Sequence, residues 1–389
     1  MTLRPLKSYL VTPGPTPVPD DVRSAMAAPA IHHRTPEFSE VLGRVRERLR
    51  AVFETGQEVL TLAASGTGAM EAAVSNCFSP GDAVVCVNGG KFGERWVEIA
   101  RAYGLDVVEL VVEWGRAVDP GEVERALRAR PEVRGVLMQA SETSTTVLHP
   151  VEPIARLTRD RDTLLVVDGI TAVGVTELPM DRWGIDVLIS GSQKAFMLPP
   201  GLAFIALSER AWRAAATARC PRYYFDLRRE RESAAKGSTA YTPAISLVMG
   251  LDRALERMLA EGLPALFARQ EVLARATRAA VEALGLERLA REAPSPAVTG
   301  FFAPPAVPGG ALQRYLRDAL GVEVAGGQGR LKGKLLRLAH LGFIGPFDVV
   351  TGVAAVEMGL ARFGADVALG RGVGAAQRVL ADALPPAPA

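Results

Sequence analysis

The sequence has little cysteine and little histidine. Its three cysteines, Cys77, Cys86 and Cys220, are odd in number, and their spacing matches no disulfide framework and no zinc motif. We therefore expect buried or half-buried reduced thiols. The four histidines are scattered and no HExxH or CxxC pattern accompanies them, so we expect no structural metal.

The sequence also lacks a strong charge of either sign and any long apolar run. It has 45 basic and 43 acidic residues and a formal net charge of +2, so the charge balance indicates neither a nucleic acid nor an anionic membrane as partner. No uninterrupted apolar stretch reaches about 18 residues, the length that a membrane span requires. The N-terminus lacks the apolar core of a secretory signal. These absences predict a soluble, cytoplasmic protein.

The length and composition predict more than one hydrophobic core. The chain has 389 residues, of which 48% are hydrophobic, and this length favours two packed domains. Four prolines and one glycine in residues 11–19 predict an extended arm that packs on another part of the protein. We predict an N-terminal arm at 1–20, a large domain at 21–264, a small domain at 265–364 and a partly disordered extension at 365–389.

Seven short apolar runs, with helical patterns between several of them, predict a mostly parallel sheet covered by helices. The predicted strands are Val59–Leu62, Ala83–Val87, Val107–Val112, Val133–Met138, Leu164–Val167, Val187–Ile189 and Ala203–Leu207. After about residue 265 a long helical pattern and three short apolar runs predict a smaller α+β domain.

A helix is predicted to begin after Thr35, because threonine is a good N-cap and Pro36 suits the first helical turn. Apolar residues follow at helical spacing. Four arginines lie largely on the other side, and we expect them to form a solvated face: Arg44, Arg46, Arg48 and Arg50.

A lysine and an aspartate follow two of the predicted strands. Lys194 ends the segment SGSQK, directly after Val187–Ile189, at the end of the sheet where open α/β proteins bind ligands. A lysine there can form a Schiff base with an aldehyde cofactor, although an exposed loop lysine is the alternative. Asp168 directly follows the predicted strand Leu164–Val167. A buried carboxylate needs a partner, and the pyridine nitrogen of pyridoxal phosphate (PLP) is such a partner. A turn aspartate before Gly169 is the alternative.

Three further segments lie after predicted strands. Residues 65–71, SGTGAME, open a helical pattern and are suited to holding an anion, although they match neither a Walker motif nor a full dinucleotide fingerprint. Phe92 lies on a Gly-rich loop and can stack on a planar ring, or belong to the core. Residues 141–145, SETST, carry hydroxyls suited to polar cofactor contacts or to a capping turn. Together these features predict one PLP site at the carboxyl ends of the strands.

In order and spacing these motifs resemble the class V aminotransferases, the PLP family that includes alanine–glyoxylate, serine–glyoxylate and serine–pyruvate aminotransferases. The resemblance extends from TPGPTPVP at 12–19, through VDG and SGSQK, to RLAHLG at 337–342. It implies the PLP-dependent transferase fold type I, the aspartate-aminotransferase-like α/β fold. It also implies a homodimer with active sites at the interface.

The resemblance implies a role for each matching residue. Lys194 would bond to PLP and then move protons, Asp168 would pair with the pyridine nitrogen, and Arg337 would bind the substrate carboxylate. Thr146 stands where relatives often have glycine. The other implied cofactor contacts are Thr67, Gly68, Ala69, Phe92, Thr143, Ile170 and Gln193, with Tyr241 or Thr242 reaching across the dimer interface.

The expected reaction is transfer of an amino group from a small amino acid, alanine or serine, to a 2-oxo acid, glyoxylate or pyruvate. Alternatives stay open: aspartate as donor, with Arg34 reaching its second carboxylate, a PLP-dependent lyase or decarboxylase, a nicotinamide dehydrogenase, and a non-catalytic role such as a soluble hydrogenase subunit. A cysteine desulfurase is disfavoured, because no cysteine follows Cys220.

Overall fold

The computed structural model describes residues 5–384. The strands are β1 Tyr9–Leu10, β2 Val59–Leu62, β3 Ala83–Asn88, β4 Asp106–Val111, β5 Gly135–Gln139, β6 Ser141–Glu142, β7 Val147–Leu148, β8 Leu164–Asp168, β9 Val187–Gly191, β10 Ala203–Leu207, β11 Val298–Phe302, β12 Val322–Glu323, β13 Ala325–Gly326 and β14 Leu335–Ala339. The helices are α1 Asp20–Ala27, α2 Pro36–Phe53, α3 Gly66–Cys77, α4 Lys91–Ala102, α5 Pro120–Ala129, α6 Val151–Thr158, α7 Met180–Trp183, α8 Glu209–Thr217, α9 Leu227–Ala234, α10 Ile245–Glu261, α11 Leu263–Ala283, α12 Gly309–Leu320, α13 Pro346–Arg362 and α14 Arg371–Ala381.

The seven predicted strands form one sheet in the order β2-β10-β9-β8-β5-β3-β4. Only β10 runs antiparallel to its neighbours, so the prediction of a mostly parallel seven-stranded sheet is confirmed. Every residue of β5, β8, β9 and β10 is buried, as expected for strands that helices cover on both faces. Two separate apolar cores lie on the two sides of this sheet.

A third apolar core lies in the C-terminal part of the chain. There β11, β14 and β13 form an antiparallel sheet, with α11, α13 and α14 contributing buried side chains. The N-terminal arm joins this part through β1, which pairs in parallel with β12. The α+β character predicted after residue 265 is therefore observed, while the exact domain boundaries stay predictions.

Within the extension predicted to be partly disordered, residues 371–381 form α14, which packs against α11. Ala375, Ala376 and Leu380 are buried in the third core. The buried carboxylate of Glu357 accepts hydrogen bonds from three backbone N–H groups around the start of α14, which stabilises a glycine-rich helix start that has no local cap. The end of the predicted extension, 385–389, lies outside the described residues.

Helix α2 begins as predicted, with the Thr35 hydroxyl accepting the N–H of Phe38 at 3.4 Å. The prediction of a fully solvated arginine face is wrong for Arg46, which is buried. Its guanidinium donates to the carbonyls of Ala234 and Ser238 at 2.9 and 2.6 Å and lies 3.4 Å from the Glu58 carboxylate.

All three cysteines are free and buried, as predicted, and burial raises the pKa of Cys77 and Cys86 to about 12. Within residues 5–384 we find no helix both long and apolar enough to cross a membrane. The same residues contain no cluster of three or more histidine, cysteine, aspartate or glutamate side chains that could hold a metal ion.

Candidate functional site

Asp168 and Lys194 lie at the carboxyl ends of two neighbouring parallel strands. Asp168 is the last residue of β8 and pairs in register with Ile189 of β9. Lys194 follows β9 by three residues, in the turn that leads towards β10. Both side chains are buried, with 4% of Asp168 and 8% of Lys194 exposed. The structure thus brings together the acid and the amine that sequence reasoning selected.

The N-terminal arm covers Lys194. The Lys194 amine donates to the carbonyl of Pro13 at 2.5 Å, and the Thr16 hydroxyl donates to the carbonyl of Lys194 at 3.0 Å. A Cβ atom at Gly14 would lie 2.4 Å from the Lys194 Nζ atom, and Gly14 has a φ of +118°, so only glycine suits this position. The arm, which was predicted to pack on another part of the protein, therefore packs on the candidate site as well as on β12.

Burial moves the pKa values of Lys194 and Asp168 towards neutrality. It raises the pKa of Asp168 to about 7, against the hydrogen bond that the Ile170 N–H donates at 2.8 Å. It lowers the pKa of Lys194 to about 8, with further lowering by the positive charges of Arg337 and Arg95. Perturbed values in two neighbouring buried groups are typical of catalytic sites.

The start of α3 leaves two backbone N–H groups without an acceptor among the described residues, those of Gly66 and Thr67. The N–H groups of Gly68 and Ala69 donate to the carbonyl of Ser65. The free donors of this predicted anion site therefore lie one residue earlier than the resemblance implied. A Cβ atom at Gly66 would lie 2.3 Å from the Cδ1 atom of Ile170, so the helix start and Ile170 are in close contact.

Phe92 lies in the first turn of α4 and is half-buried. The guanidinium carbon of Arg95 lies 4.9 Å from the centre of its ring, and an Arg95 N–H donates to the Thr67 hydroxyl at 3.1 Å. Sequence reasoning did not select Arg95. Its position three residues after Phe92, on the same side of a helix, was the available signal.

Sequence reasoning also missed Glu142, which is fully buried. One carboxylate oxygen accepts the N–H groups of Phe92 and Gly93 at 3.1 and 3.0 Å. The other accepts the N–H and the hydroxyl of Ser144. A carboxylate at a helix N-terminus is favourable, so Glu142 fixes the loop that carries Phe92. Burial nevertheless raises the pKa of Glu142.

Thr143 connects several parts of the site. Its hydroxyl lies 2.8 Å from that of Thr171, and its carbonyl accepts an N–H of Arg337 at 2.8 Å. Nearby, Thr146 has a φ of +61°, which is unusual for a β-branched residue. A Cβ atom at Gly300 would lie only 2.8 Å from the methyl group of Thr146. A glycine at position 146 would adopt this conformation without strain.

Arg337 lies on β14, and 5% of it is exposed. Its Nε and Nη2 atoms donate to the carbonyl of Gly326 at 3.1 and 2.8 Å, and Nη1 donates to Thr143. Among the described residues, no acceptor takes the second N–H of either terminal nitrogen, and two such N–H groups can bind a carboxylate through two hydrogen bonds. No carboxylate among residues 5–384 forms an ion pair with Arg337. Burial lowers the pKa of Arg337 to about 10, so it stays cationic at neutral pH.

Gln193 and Tyr241 have different relations to this site. Gln193 precedes Lys194, and its side-chain oxygen is buried without a hydrogen-bond partner among the described residues. The Tyr241 hydroxyl donates to the carbonyl of Tyr223 at 3.0 Å, and its ring stacks on Tyr224, whereas Thr242 is exposed. Among the described residues of one chain, Tyr241 forms no hydrogen bond with Lys194.

Comparison with known proteins agrees with this geometry. A family model described as "Aminotransferase class-V" matches residues 8–337. The chain is 43% identical to a protein named soluble hydrogenase, small subunit, of a Synechococcus species, over 97% of this chain and 99% of the relative. It is 37% identical to the L-aspartate–glyoxylate aminotransferase of Paracoccus denitrificans, over 94% of each. The crystal structure of ureidoglycine–glyoxylate aminotransferase from Bacillus subtilis superimposes with a TM-score of 0.92 at 29% identity, covering 98% of this chain and 99% of the other.

Proposed function

The chain belongs to the class-V aminotransferase family, and we propose that it transfers the amino group of alanine or serine to glyoxylate or pyruvate. A transaminase of this family takes an amino acid and a 2-oxo acid as substrates, and the family implies PLP as the cofactor. A small substrate is supported by the contact of the N-terminal arm with the Lys194 amine, at Pro13 and Gly14. Glyoxylate also appears in the names of both transaminases compared above.

The observation that carries this proposal is the buried Arg337 with one free N–H on each terminal nitrogen. A buried cation without a counterion is unfavourable until an anion binds. The carboxylate shared by all amino and 2-oxo acids would supply that anion. The charge of Arg337 also lowers the pKa of Lys194, which supports a role for both groups towards one substrate.

The residues present fit PLP. The Asp168 carboxylate is buried with a single hydrogen bond in the described structure, so a protonated pyridine nitrogen would supply its missing partner. The free N–H groups of Gly66 and Thr67 suit the phosphate. The side-chain oxygen of Gln193, which has no hydrogen-bond partner in the described part of the chain, adjoins the same helix start, because a Cβ atom at Gly191 would lie 3.2 Å from it and 3.7 Å from the Gly66 nitrogen.

When bound, PLP supplies an aldehyde that condenses with amines and a ring that withdraws electrons. The protein's part is then to position groups and to move protons. Lys194, whose amine loses its proton near pH 8, would take the proton from the substrate α-carbon and return it. Arg337 would fix the carboxylate so that this C–H bond faces Lys194. Phe92 and Ile170 would hold the ring between them, and the hydroxyl of Thr143 would contact its polar edge.

The remaining cofactor contacts would come from a second copy of the chain. Within one chain the Tyr241 hydroxyl donates to Tyr223 and Thr242 is exposed. The segment that precedes them adjoins α3, where the Phe225 ring lies 3.0 Å from the position of a Cβ atom on Gly68. We therefore propose a homodimer in which one of these two residues reaches the phosphate of the partner subunit.

Aspartate is the second candidate donor, because a relative 37% identical is named for it. Visible absorption spectroscopy separates the candidates: alanine, serine and aspartate are added singly to the PLP-loaded protein, followed by glyoxylate or pyruvate. We expect alanine or serine to bleach the cofactor band and the oxo acid to restore it. Bleaching by aspartate alone would replace the proposed donor, and a band that no amino acid converts would favour a lyase or decarboxylase. Absence of any band after PLP addition would refute the cofactor assignment.

A further inference from the structure

Arg95 lies between two parts of the candidate site. It is half-buried in α4, and one of its N–H groups donates to the hydroxyl of Thr67, in the first turn of α3. Its guanidinium also lies over the ring of Phe92. The positive charge of Arg95 lowers the pKa values of both Asp168 and Lys194, so Arg95 lies near the reacting groups.

Arg95 is a cation without a counterion in the described part of the chain. No carboxylate among residues 5–384 forms an ion pair with it, whereas Arg101, on the same helix, lies 2.9 Å from the Glu109 carboxylate. An arginine has five N–H donors, and Arg95 gives only one of them to a protein acceptor, Thr67. A half-buried guanidinium with free donors is suited to binding a planar or tetrahedral anion.

The neighbours of Arg95 indicate which anion. The Thr67 hydroxyl accepts from Arg95 and therefore has its own proton free to donate. The N–H groups of Gly66 and Thr67 are also free at the helix start, where the helix dipole favours negative charge. The substrate carboxylate has a separate partner in Arg337, on the Thr143 side of the site. Three kinds of donor thus converge on one turn of α3.

We propose that Arg95 binds the phosphate group of the cofactor, together with the backbone of Gly66 and Thr67 and the Thr67 hydroxyl. The guanidinium of Arg95 also lies over the Phe92 ring in a cation–π contact. One residue therefore couples phosphate binding to the stacking of Phe92 on the cofactor ring. This inference rests on the proposed PLP site and adds to it a residue that the family resemblance did not supply.

The test compares PLP with pyridoxal, which lacks the phosphate. The apoprotein of the full chain is titrated with each, and binding is followed by absorbance for the wild type and for Arg95→Met, Arg95→Lys and Arg101→Met. We expect Arg95→Met to weaken PLP binding by about 30- to 300-fold, as for loss of a charge-assisted pair, and pyridoxal binding by less than about threefold. Arg95→Lys, which keeps the charge but loses the fork, should fall between. Arg101→Met, a charge-matched control on the same helix, should change neither.

A second measurement uses inorganic phosphate without any cofactor. Phosphate should raise the melting temperature of the wild-type apoprotein above that in chloride of equal ionic strength, and Arg95→Met should lose this increase. Equal weakening of PLP and pyridoxal would overturn the proposal and leave Arg95 as a residue that positions Phe92. Unchanged PLP binding with a raised KM for aspartate would overturn it in favour of a substrate-carboxylate role. Failure of the wild type to bind PLP would instead refute the proposed function.

Discussion

Arg46 and Arg337 are both buried arginines, and the structure treats them differently. Arg46, on the buried side of α2, donates to two carbonyls and adjoins the Glu58 carboxylate. Arg337, beside the sheet end, donates only to carbonyls, and no carboxylate among the described residues forms an ion pair with it, although the charge of the buried Glu142 raises its pKa. A buried charge that its own chain neutralises contributes to the fold, whereas one left with free donors is suited to a ligand.

Two buried carboxylates repeat the contrast. Glu142 accepts four hydrogen bonds, which fix the loop of Phe92. Asp168 accepts one, from the N–H of Ile170. Both have a raised pKa because of burial, so a shifted pKa alone does not separate structural from functional groups. The number of hydrogen-bond partners that the chain itself supplies separates Glu142 from Asp168.

Removing the Lys194 amine should have the largest effect. Lys194→Ala is expected to lower the transamination rate by about 10⁴-fold or more, because no other described amine lies beside Asp168 to move the proton. The rate of oxo-acid formation measures this. Lys236→Ala, which removes an exposed lysine, is the control, and ordinary activity in Lys194→Ala would rule out the assignment.

Arg337→Met should lower kcat/KM by about 10²- to 10³-fold, the loss associated with a two-bond carboxylate contact. PLP binding should change little, because Arg337 is assigned to the substrate. Steady-state kinetics and a PLP titration together check this. Arg330→Met removes an exposed arginine from the same region and should leave both unchanged. Weakened PLP binding in Arg337→Met would contradict the separation of roles between Arg337 and Arg95.

Arg46→Met should lower the stability of the protein and leave its activity nearly unchanged, unlike Arg337→Met. The change removes the Arg46 donor from the carbonyls of Ala234, which keeps the N–H of Gly237, and Ser238, and it leaves the Glu58 carboxylate without its ion-pair partner. We expect a loss of about 2–4 kcal/mol in the free energy of unfolding. Activity below the melting transition should stay within about twofold. Denaturant unfolding measures the loss, with Arg50→Met on the exposed side of α2 as control. A normal stability would show that Arg46 is not the structural member of the pair.

Asp168→Asn should stabilise the apoprotein, and the gain should depend on pH. Because the folded-state pKa of Asp168 is raised to about 7, its ionised form opposes folding. The penalty is absent below about pH 4, where the carboxyl is protonated in both states, and grows to its full value above about pH 7. We expect the variant and the wild type to have about the same free energy of unfolding at pH 4. At pH 8 the variant should be more stable by about 1–3 kcal/mol. Thermal melts of the two apoproteins across this range check the sign, and an equal difference at both pH values would contradict it.

The positions of the strands along the chain were predictable from the sequence because the signal of each strand is local. Apolar runs such as Val59–Leu62 and Ala203–Leu207 are observed with those bounds, since a strand buried on both faces has to be apolar throughout. The lysine and the acid were predictable for the same reason, because residues just beyond such strands converge at one edge of a parallel sheet.

The missed residues depend on contacts between distant segments. Arg95 reads as one more helix arginine until α4 is packed beside α3, and Glu142 reads as part of a polar run until Phe92 and Gly93 point their N–H groups at it. The α14 helix was missed because its start is stabilised by Glu357 of another helix rather than by a local cap.

The sequence by itself determined the fold class, the family and the positions of Lys194, Asp168 and Arg337 along the chain. These follow from short-range patterns: burial periodicity, glycine at turns and the identity of residues after strands. Only the tertiary structure decided which charges are neutralised within the chain and which stay free for a ligand. It also decided that the arm covers Lys194 at Pro13 and Gly14. Those outcomes depend on distances between segments up to 194 residues apart, and electrostatic and hydrogen-bonding energies are set by such distances and by burial.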